Sequence, residues 1–231
     1  MKRKYPRLLL IAVVSVLLVS ALAGTTVAKY VTKQTFTGKV TFSAKLAEEV
    51  LLRERTAERQ PDGSYKLTTP YVAENTYELL PGMDIPKDPH VVVKGKTDLK
   101  AYLFIEIVDK LTEQIGDQNY RPITYTVSSN WLKLQDVTGE HGGTVYVYKG
   151  TGEEAAVLGE EFTKDATDRT EEIDILALLD GKTETVRVSQ KLNSQLASDD
   201  GDILAFYAAM GETAMGADAT AVYKAIYGMT P

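Results

Sequence analysis

The segment FTGKVTFSAKL, residues 36–46, carries the clearest fold signal in this chain of 231 residues. Its odd positions hold threonine, lysine and serine. Its even positions are apolar or glycine: Phe36, Gly38, Val40, Phe42, Ala44 and Leu46. Successive side chains of a strand point to opposite faces of the sheet. Alternation over this whole segment therefore predicts a β-strand with one buried face.

Further segments predict a chain built mostly of strands. AYLFIEIV, residues 101–108, is apolar on both faces, which is typical of a central strand. Turn residues such as Pro81-Gly82 and Gly142-Gly143 separate the segments. The remaining predicted strands are residues 64–71, 89–93, 123–127, 144–148, 172–179, 185–188 and 202–210.

Two short segments favour helices. Residues 109–115 have apolar side chains four positions apart, and residues 216–227 contain a possible N-cap, Asp218. The apolar stripe of the second segment is Val222, Ala225 and Ile226. Many short strands with few helices predict an all-β fold, a two-sheet antiparallel sandwich with one or two short helices.

The first thirty residues have the pattern of an export signal. Four cations precede an apolar run over residues 8–23, and small residues follow. Thr26 and Ala28 fit the small-residue positions before a cut at Lys29, and a cut after Ala23 is the alternative. We therefore expect a signal helix over residues 1–28 and a single domain over residues 29–231. A retained membrane anchor is the other interpretation, since the apolar run extended to Ala28 is long enough to span a bilayer.

Charge and cysteine content narrow the function classes. The chain has 26 Lys and Arg residues against 32 Asp and Glu residues, a net charge of −6. Without residues 1–28, which hold four cations and no acid, the net charge is −10. Such an acidic surface repels phosphate backbones and argues against nucleic acid as a partner. The chain has no cysteine, so an exported form has no disulfides and depends on burial, hydrogen bonds or self-assembly.

Catalytic motifs are missing from the sequence. Two histidines, His90 and His141, lie at a strand entry and in a turn, and neither belongs to an H-E-x-x-H zinc helix. No G-x-S-x-G elbow and no Walker loop is present. We therefore predict no enzymatic activity, no cofactor and no metal centre, with both histidines in structural positions.

Three further features have a structural and a functional interpretation. The carboxylates of residues 199–202, DDGD, suit a hard cation, but their spacing favours a solvated turn over a calcium loop. Trp131 suits a core anchor better than a sugar-binding platform. Tyr146 and Tyr148 lie two apart on one strand face, which is ordinary in a sheet and also usable for binding a glycan or another subunit.

Three segments resemble the TasA and camelysin (CalY) proteins, Gram-positive matrix proteins whose signal is processed by a SipW-type peptidase. GTTVAKY, residues 24–30, resembles their signal boundary, and residues 36–46 resemble their first mature strand. LLPGMDIPKDP, residues 79–89, resembles their L-x-P-G-D turn, although Met83 stands where better-known members have a charged residue. Pro81 and Gly82 suit a tight turn.

The resemblance implies a jelly-roll-like β-sandwich, secretion, and assembly into fibres of the extracellular biofilm matrix. In that family the N-terminal segment of one subunit completes the sheet of the next. Residues 29–46 suit this role because they alternate and contain no proline. Strand donation of this kind is head-to-tail and therefore generates filaments. The resemblance also allows related matrix proteins to take part in them. The donor side chains would be Phe36, Val40, Phe42, Ala44 and Leu46.

The sequence therefore favours a secreted structural subunit without catalytic function, located in the extracellular matrix or at the cell surface. One alternative is a monomeric surface module that binds glycan or protein through Trp131, Tyr146 or Tyr148. Another is a metalloprotease, the activity for which camelysin was named, but the missing zinc motif argues against it.

Overall fold

The computed structural model describes residues 39–41, 49–94, 100–109, 121, 123–158, 171–182, 185–190 and 204–230. Within these ranges the chain is mostly β. The strands are β1 (Lys39–Thr41), β2 (Glu49–Arg59), β3 (Tyr65–Val72), β4 (Asp84–Ile85), β5 (His90–Lys94), β6 (Ala101–Asp109), β7 (Ile123–Tyr125), β8 (Trp131–Thr138), β9 (Thr144–Tyr148), β10 (Glu171–Asp174), β11 (Val186–Val188) and β12 (Leu204–Glu212).

The strands form three sheets, with orders β1-β12-β6-β9-β8, β10-β5-β2-β3 and β4-β11-β7. Every pairing is antiparallel except that of β1 with β12, which is parallel. The all-β, mainly antiparallel prediction is confirmed, but the described strands form three sheets and not the two that the sequence predicts. A third sheet exists because β11 pairs with β4 on one side and with β7 on the other, and so joins neither larger sheet.

The main core lies where the three sheets meet, which gives a sandwich-like arrangement. It contains Leu52 of β2, Val91 of β5, Ile105 of β6, Val186 of β11 and Phe206 of β12. A second apolar cluster covers the opposite face of the five-stranded sheet and is made by Phe104, Leu134, Val145, Val147, Ala209, Ala219, Val222 and Tyr223. The central strands β6 and β12 are thus buried on both faces, as the double-sided apolar pattern of β6 predicts.

A short 3₁₀ helix (Thr213–Met215) and helix α1 (Ala219–Tyr227) follow β12. The predicted cap is present: Asp218 accepts a hydrogen bond from the Ala221 amide at 2.8 Å. The predicted stripe is wrong in part, because Ala225 is exposed and the buried face is made by Ala219, Val222 and Tyr223. These three residues keep the predicted i, i+3, i+4 spacing but begin three positions earlier than the predicted stripe. α1 packs on β12 and β6.

Predictions for the N-terminal segment and for the other helix lie outside the described residues. These include the signal helix of residues 1–28, the cleavage positions Thr26, Ala28 and Lys29, and residues 110–115 of the predicted helix 109–115. Asp109 is the last residue of β6. None of the helices in the described ranges is long and apolar enough to cross a membrane.

Candidate functional site

The edge of the five-stranded sheet is formed by the N-terminal strand. β1 pairs with β12 in parallel, with Lys39 opposite Tyr207, Val40 opposite Ala208 and Thr41 opposite Ala209. On its other side β12 pairs along its whole length with β6. β12 is apolar on both faces, and seven of its nine residues, all except the half-buried Tyr207 and Glu212, are buried by neighbouring elements. Within the described residues only the three residues of β1 pair with this edge.

The predicted assembly residues divide between described and undescribed parts of the chain. Val40 lies in β1, at the register position of Ala208. Phe36, Phe42, Ala44 and Leu46 lie outside the described residues. The structure therefore shows one of the predicted positions on the sheet edge and leaves the others as predictions.

Glu54 on β2 and Lys87, just before β5, form an ion pair inside the core. The Lys87 Nζ lies 3.2 and 3.1 Å from the two carboxylate oxygens of Glu54, and neither side chain is exposed. Aromatic rings approach the same amine, with Nζ 5.3 Å from the centre of the Tyr77 ring and 6.0 Å from that of Phe206. The Thr185 hydroxyl donates to the Lys87 carbonyl. Removing one partner of such a pair leaves a buried, uncompensated charge.

Asn75 completes this cluster. Its Oδ1 accepts from the Ala57 amide at 2.8 Å, and its Nδ2 donates to the Arg55 carbonyl at 2.7 Å. The Asn75 side chain, which is 7% exposed, also lies near enough to the Glu54 carboxyl to favour its ionised form. Burial raises the pKa of Glu54 above its ordinary value, against the opposing effect of the Lys87 ammonium. An acid, an amine and a carboxamide are thus held together in one water-excluded space.

Sequence reasoning missed this cluster, although one signal was present. Glu54 shares the inward-facing parity of β2 with the buried Val50 and Leu52. An acid at a buried position of a strand requires a partner. The pattern does not say which of the many cations of the chain supplies it.

A second buried carboxylate, Glu106 of β6, fastens a turn to the sheet. One oxygen accepts from the amides of His141 and Gly143, both at 2.8 Å. The other accepts from His141 Nδ1 at 2.9 Å and from the Tyr223 hydroxyl at 3.3 Å. The His141 ring stacks on Tyr207 with 3.6 Å between ring centres. His141 lies in the predicted turn and has a structural role there. The signal that was missed is a lone acid in the apolar run of β6.

An open cleft of about 470 Å³ lies beside β10. Tyr71 and Glu172 line it, and the Arg53 guanidinium contacts the Glu172 carboxylate at 2.5 Å and covers the Tyr71 ring at 4.0 Å. The Tyr71 hydroxyl donates to Glu172 at 3.3 Å. His90 also lines the cleft, so a histidine, a carboxylate and a tyrosine meet at this place.

The geometry of His90 favours a structural role over catalysis. Its Nδ1 donates to the Asp88 carbonyl at 2.9 Å. Its Nε2 is closed off from solvent, has no hydrogen-bond partner among the described residues, and lies 3.8 Å from Glu172. A general base must reach the proton that it removes from a substrate. A nitrogen that solvent does not reach is poorly placed for that task.

The aromatic residues weighed as a binding face support the core. Trp131 is 5% exposed, and its indole N–H donates to the Asp174 carbonyl at 2.8 Å. The Tyr148 ring meets the Trp131 ring at 5.6 Å in an edge contact. Tyr146 and Tyr148 are half-buried against the main core. This arrangement favours the core-anchor interpretation of Trp131.

Metal ligands are not clustered in the part of the chain that the structure describes: no three His, Asp or Glu side chains there can hold one ion. The acidic residues 199–202 lie outside it. Comparison with known protein families, with curated proteins and with solved structures gives no match. The resemblance to the TasA and camelysin proteins therefore depends on the residues of this chain alone.

Proposed function

We propose that this chain is a secreted structural subunit of extracellular biofilm matrix fibres, with no catalytic function and no cofactor. A signal peptidase recognises Thr26 and Ala28, cuts before Lys29, and so removes a signal helix over residues 1–28. The remaining domain is a jelly-roll-like sandwich. Residues 29–46 leave one subunit and complete the sheet of the next, so the main partner is another copy of the chain.

The position of β1 at the edge of the five-stranded sheet supports this proposal. A strand from the N-terminal segment forms the last strand of the five-stranded sheet and covers β12. Without β1, the edge of an apolar strand is open to main-chain pairing. An unpaired edge of this kind is a template for a strand from another chain. A second copy can supply the same residues to the same edge.

Strand exchange changes the free energy of the sheet little, because a donated strand makes the contacts that the subunit's own strand made. Within the described residues, three residue pairs join β1 to β12, and a donated strand would form the same pairs. Association of the next copy then depends on protein concentration. Because donor and acceptor surfaces differ, each subunit offers a new edge and the assembly does not close.

Electron microscopy of negatively stained, signal-cleaved protein tests the proposal. We expect filaments from the wild type and none from Val40→Asp, because a carboxylate on the donor strand cannot be buried against a sheet without cost. Val157→Asp is the matched control, since Val157 is 45% exposed and lies outside every strand. Its filaments should match those of the wild type.

Two outcomes would contradict the proposal. One is a wild type that remains monomeric by light scattering at every pH and concentration tested. The other is filament formation that persists unchanged when residues 29–46 are deleted, since the assembly would then use a different surface.

A further inference from the structure

We propose that Lys87 and Asn75 become joined by an intramolecular amide bond, with Glu54 as the proton-transferring group between them. This inference is independent of the assembly proposed above. It rests on the buried cluster of an amine, a carboxamide and a carboxyl group around β2.

The nucleophile is the Lys87 amine. Its Nζ lies 3.1 and 3.2 Å from the Glu54 oxygens and is surrounded by the rings of Tyr77 and Phe206. Both side chains of the ion pair are fully buried, so water does not compete for the amine. Because burial raises the pKa of Glu54, this carboxylate accepts a proton readily, and the Lys87 ammonium beside it is a proton source. Proton transfer leaves a neutral amine, which is the nucleophilic form.

The electrophile is the Asn75 carboxamide. Both of its polar atoms bond to main-chain groups of β2, Oδ1 to the Ala57 N–H and Nδ2 to the Arg55 carbonyl. These two bonds hold the amide against the strand. The Ala57 N–H at 2.8 Å polarises the carbonyl and stabilises negative charge that develops on Oδ1. The carboxyl that bonds Lys87 also lies near the Asn75 amide and is influenced by it, so one acid adjoins both reacting groups.

The reaction exchanges one amide for another. Glu54 first takes a proton from the Lys87 ammonium. The neutral Nζ then forms a bond to Cγ of Asn75, and the bond from Cγ to Nδ2 breaks. Glu54 gives its proton to the departing Nδ2 and receives one from Nζ. The products are the Lys87–Asn75 amide, one molecule of ammonia and a protonated Glu54, so no oxidant, metal or cofactor takes part.

The Lys87–Asn75 bond would supply a covalent cross-link that disulfides cannot supply in this chain. The chain has no cysteine, so disulfides cannot cross-link it. A bond between Asn75 and Lys87 closes the loop that contains the Pro81-Gly82 turn and ties it beside β2. It also replaces a buried ion pair by a neutral amide, which removes the cost of keeping two charges out of water.

Mass spectrometry of the purified wild-type chain is the direct test and needs no variant. We expect the intact mass to be lower than the sequence mass by one ammonia. A tryptic digest should contain one branched peptide in which Lys87 is joined to Asn75, with no cleavage after Lys87. An unmodified mass overturns the proposal. So does ammonia loss with normal cleavage after Lys87, which indicates a succinimide, and so does water loss with a Lys87–Glu54 link.

Variants test the roles of the three groups. Lys87→Arg keeps the charge and should lose the mass difference, whereas the exposed control Lys133→Arg should keep it. Glu54→Gln keeps the shape of the side chain and should also lack the cross-link. If a Glu54→Gln chain that is folded by circular dichroism carries the bond as fully as the wild type, the role assigned to Glu54 is wrong.

Discussion

Two buried glutamates, which lie in different sheets, have different kinds of partner for their carboxylates. Glu54 of β2 faces one cation, Lys87, inside the main core. Glu106 of β6 receives four hydrogen bonds, from two main-chain amides, an imidazole and a phenol. The first carboxylate is part of a compact cluster of reactive groups, and the second holds a turn and a helix against a sheet.

The difference shows why burial of a charge does not define its role. A carboxylate that receives several N–H and O–H bonds, including main-chain amides, anchors the main chain. A carboxylate that shares its space with an amine and a carboxamide can move protons between them. The two sites should therefore respond differently when one partner is removed.

The largest effect is expected from Lys87→Met. This change removes the cation that pairs with the Glu54 carboxyl and also the amine of the proposed cross-link; breaking a buried pair alone costs about 3–5 kcal/mol. Urea unfolding followed by circular dichroism measures the loss. The double variant Glu54→Leu/Lys87→Met should be more stable than Lys87→Met alone, because both charges are gone. A single variant as stable as the wild type would mean that the pair is not buried as described.

A smaller effect is expected from Glu106→Gln. The shape is kept, but a neutral amide oxygen replaces the charged acceptor and one donor faces an NH₂ group, so we expect a loss of about 2 kcal/mol. The exposed neighbour Glu140→Gln is the control and should change stability by less than about 0.5 kcal/mol. Amide exchange at Gly143 should become faster in Glu106→Gln only. Equal effects of the two substitutions would contradict the anchoring role.

A half-buried carboxylate, Asp84, should give the smallest effect of the three. Hydrogen bonding from the Arg187 guanidinium at 2.8 Å lowers the pKa of Asp84 below its ordinary value. A lowered folded-state pKa contributes stability that is present above the unfolded value of roughly 4 and is lost as the pH falls through the folded value. Asp84→Asn should therefore make the melting temperature less sensitive to pH in this acid range. An unchanged acid dependence would show that the pair contributes nothing.

Much of the β architecture can be predicted from local patterns. The predicted strand 144–148 matches the bounds of β9, and the double-sided apolar run of β6 lies between two neighbours in the five-stranded sheet. Gly82 adopts φ 79°, as the Pro81-Gly82 turn requires. These features depend on side-chain alternation and on backbone sterics, both of which the sequence contains directly.

Other features depend on partners that are distant in sequence. β2 is not predicted, because its sequence EVLLRERTAER is rich in residues that prefer helices, yet it pairs with β3 and β5 over most of its length. β8 is not predicted either, and of the predicted strand 172–179 only residues 172–174 belong to a regular strand, β10. The pairing of Glu54 with Lys87 joins residues 33 positions apart, and no local pattern encodes that choice.

Disulfide trapping tests the central claim, donation of the N-terminal strand, most directly. The chain has no cysteine, and Val40 lies opposite Ala208 in the β1–β12 pairing, where neighbouring strands are about 4.8 Å apart. We mix signal-cleaved Val40→Cys with signal-cleaved Ala208→Cys, oxidise, and run a non-reducing gel. Strand donation predicts a disulfide-linked dimer from this mixture and none when Val157→Cys replaces Val40→Cys. A disulfide that forms within the double variant but never between the two single variants would contradict donation.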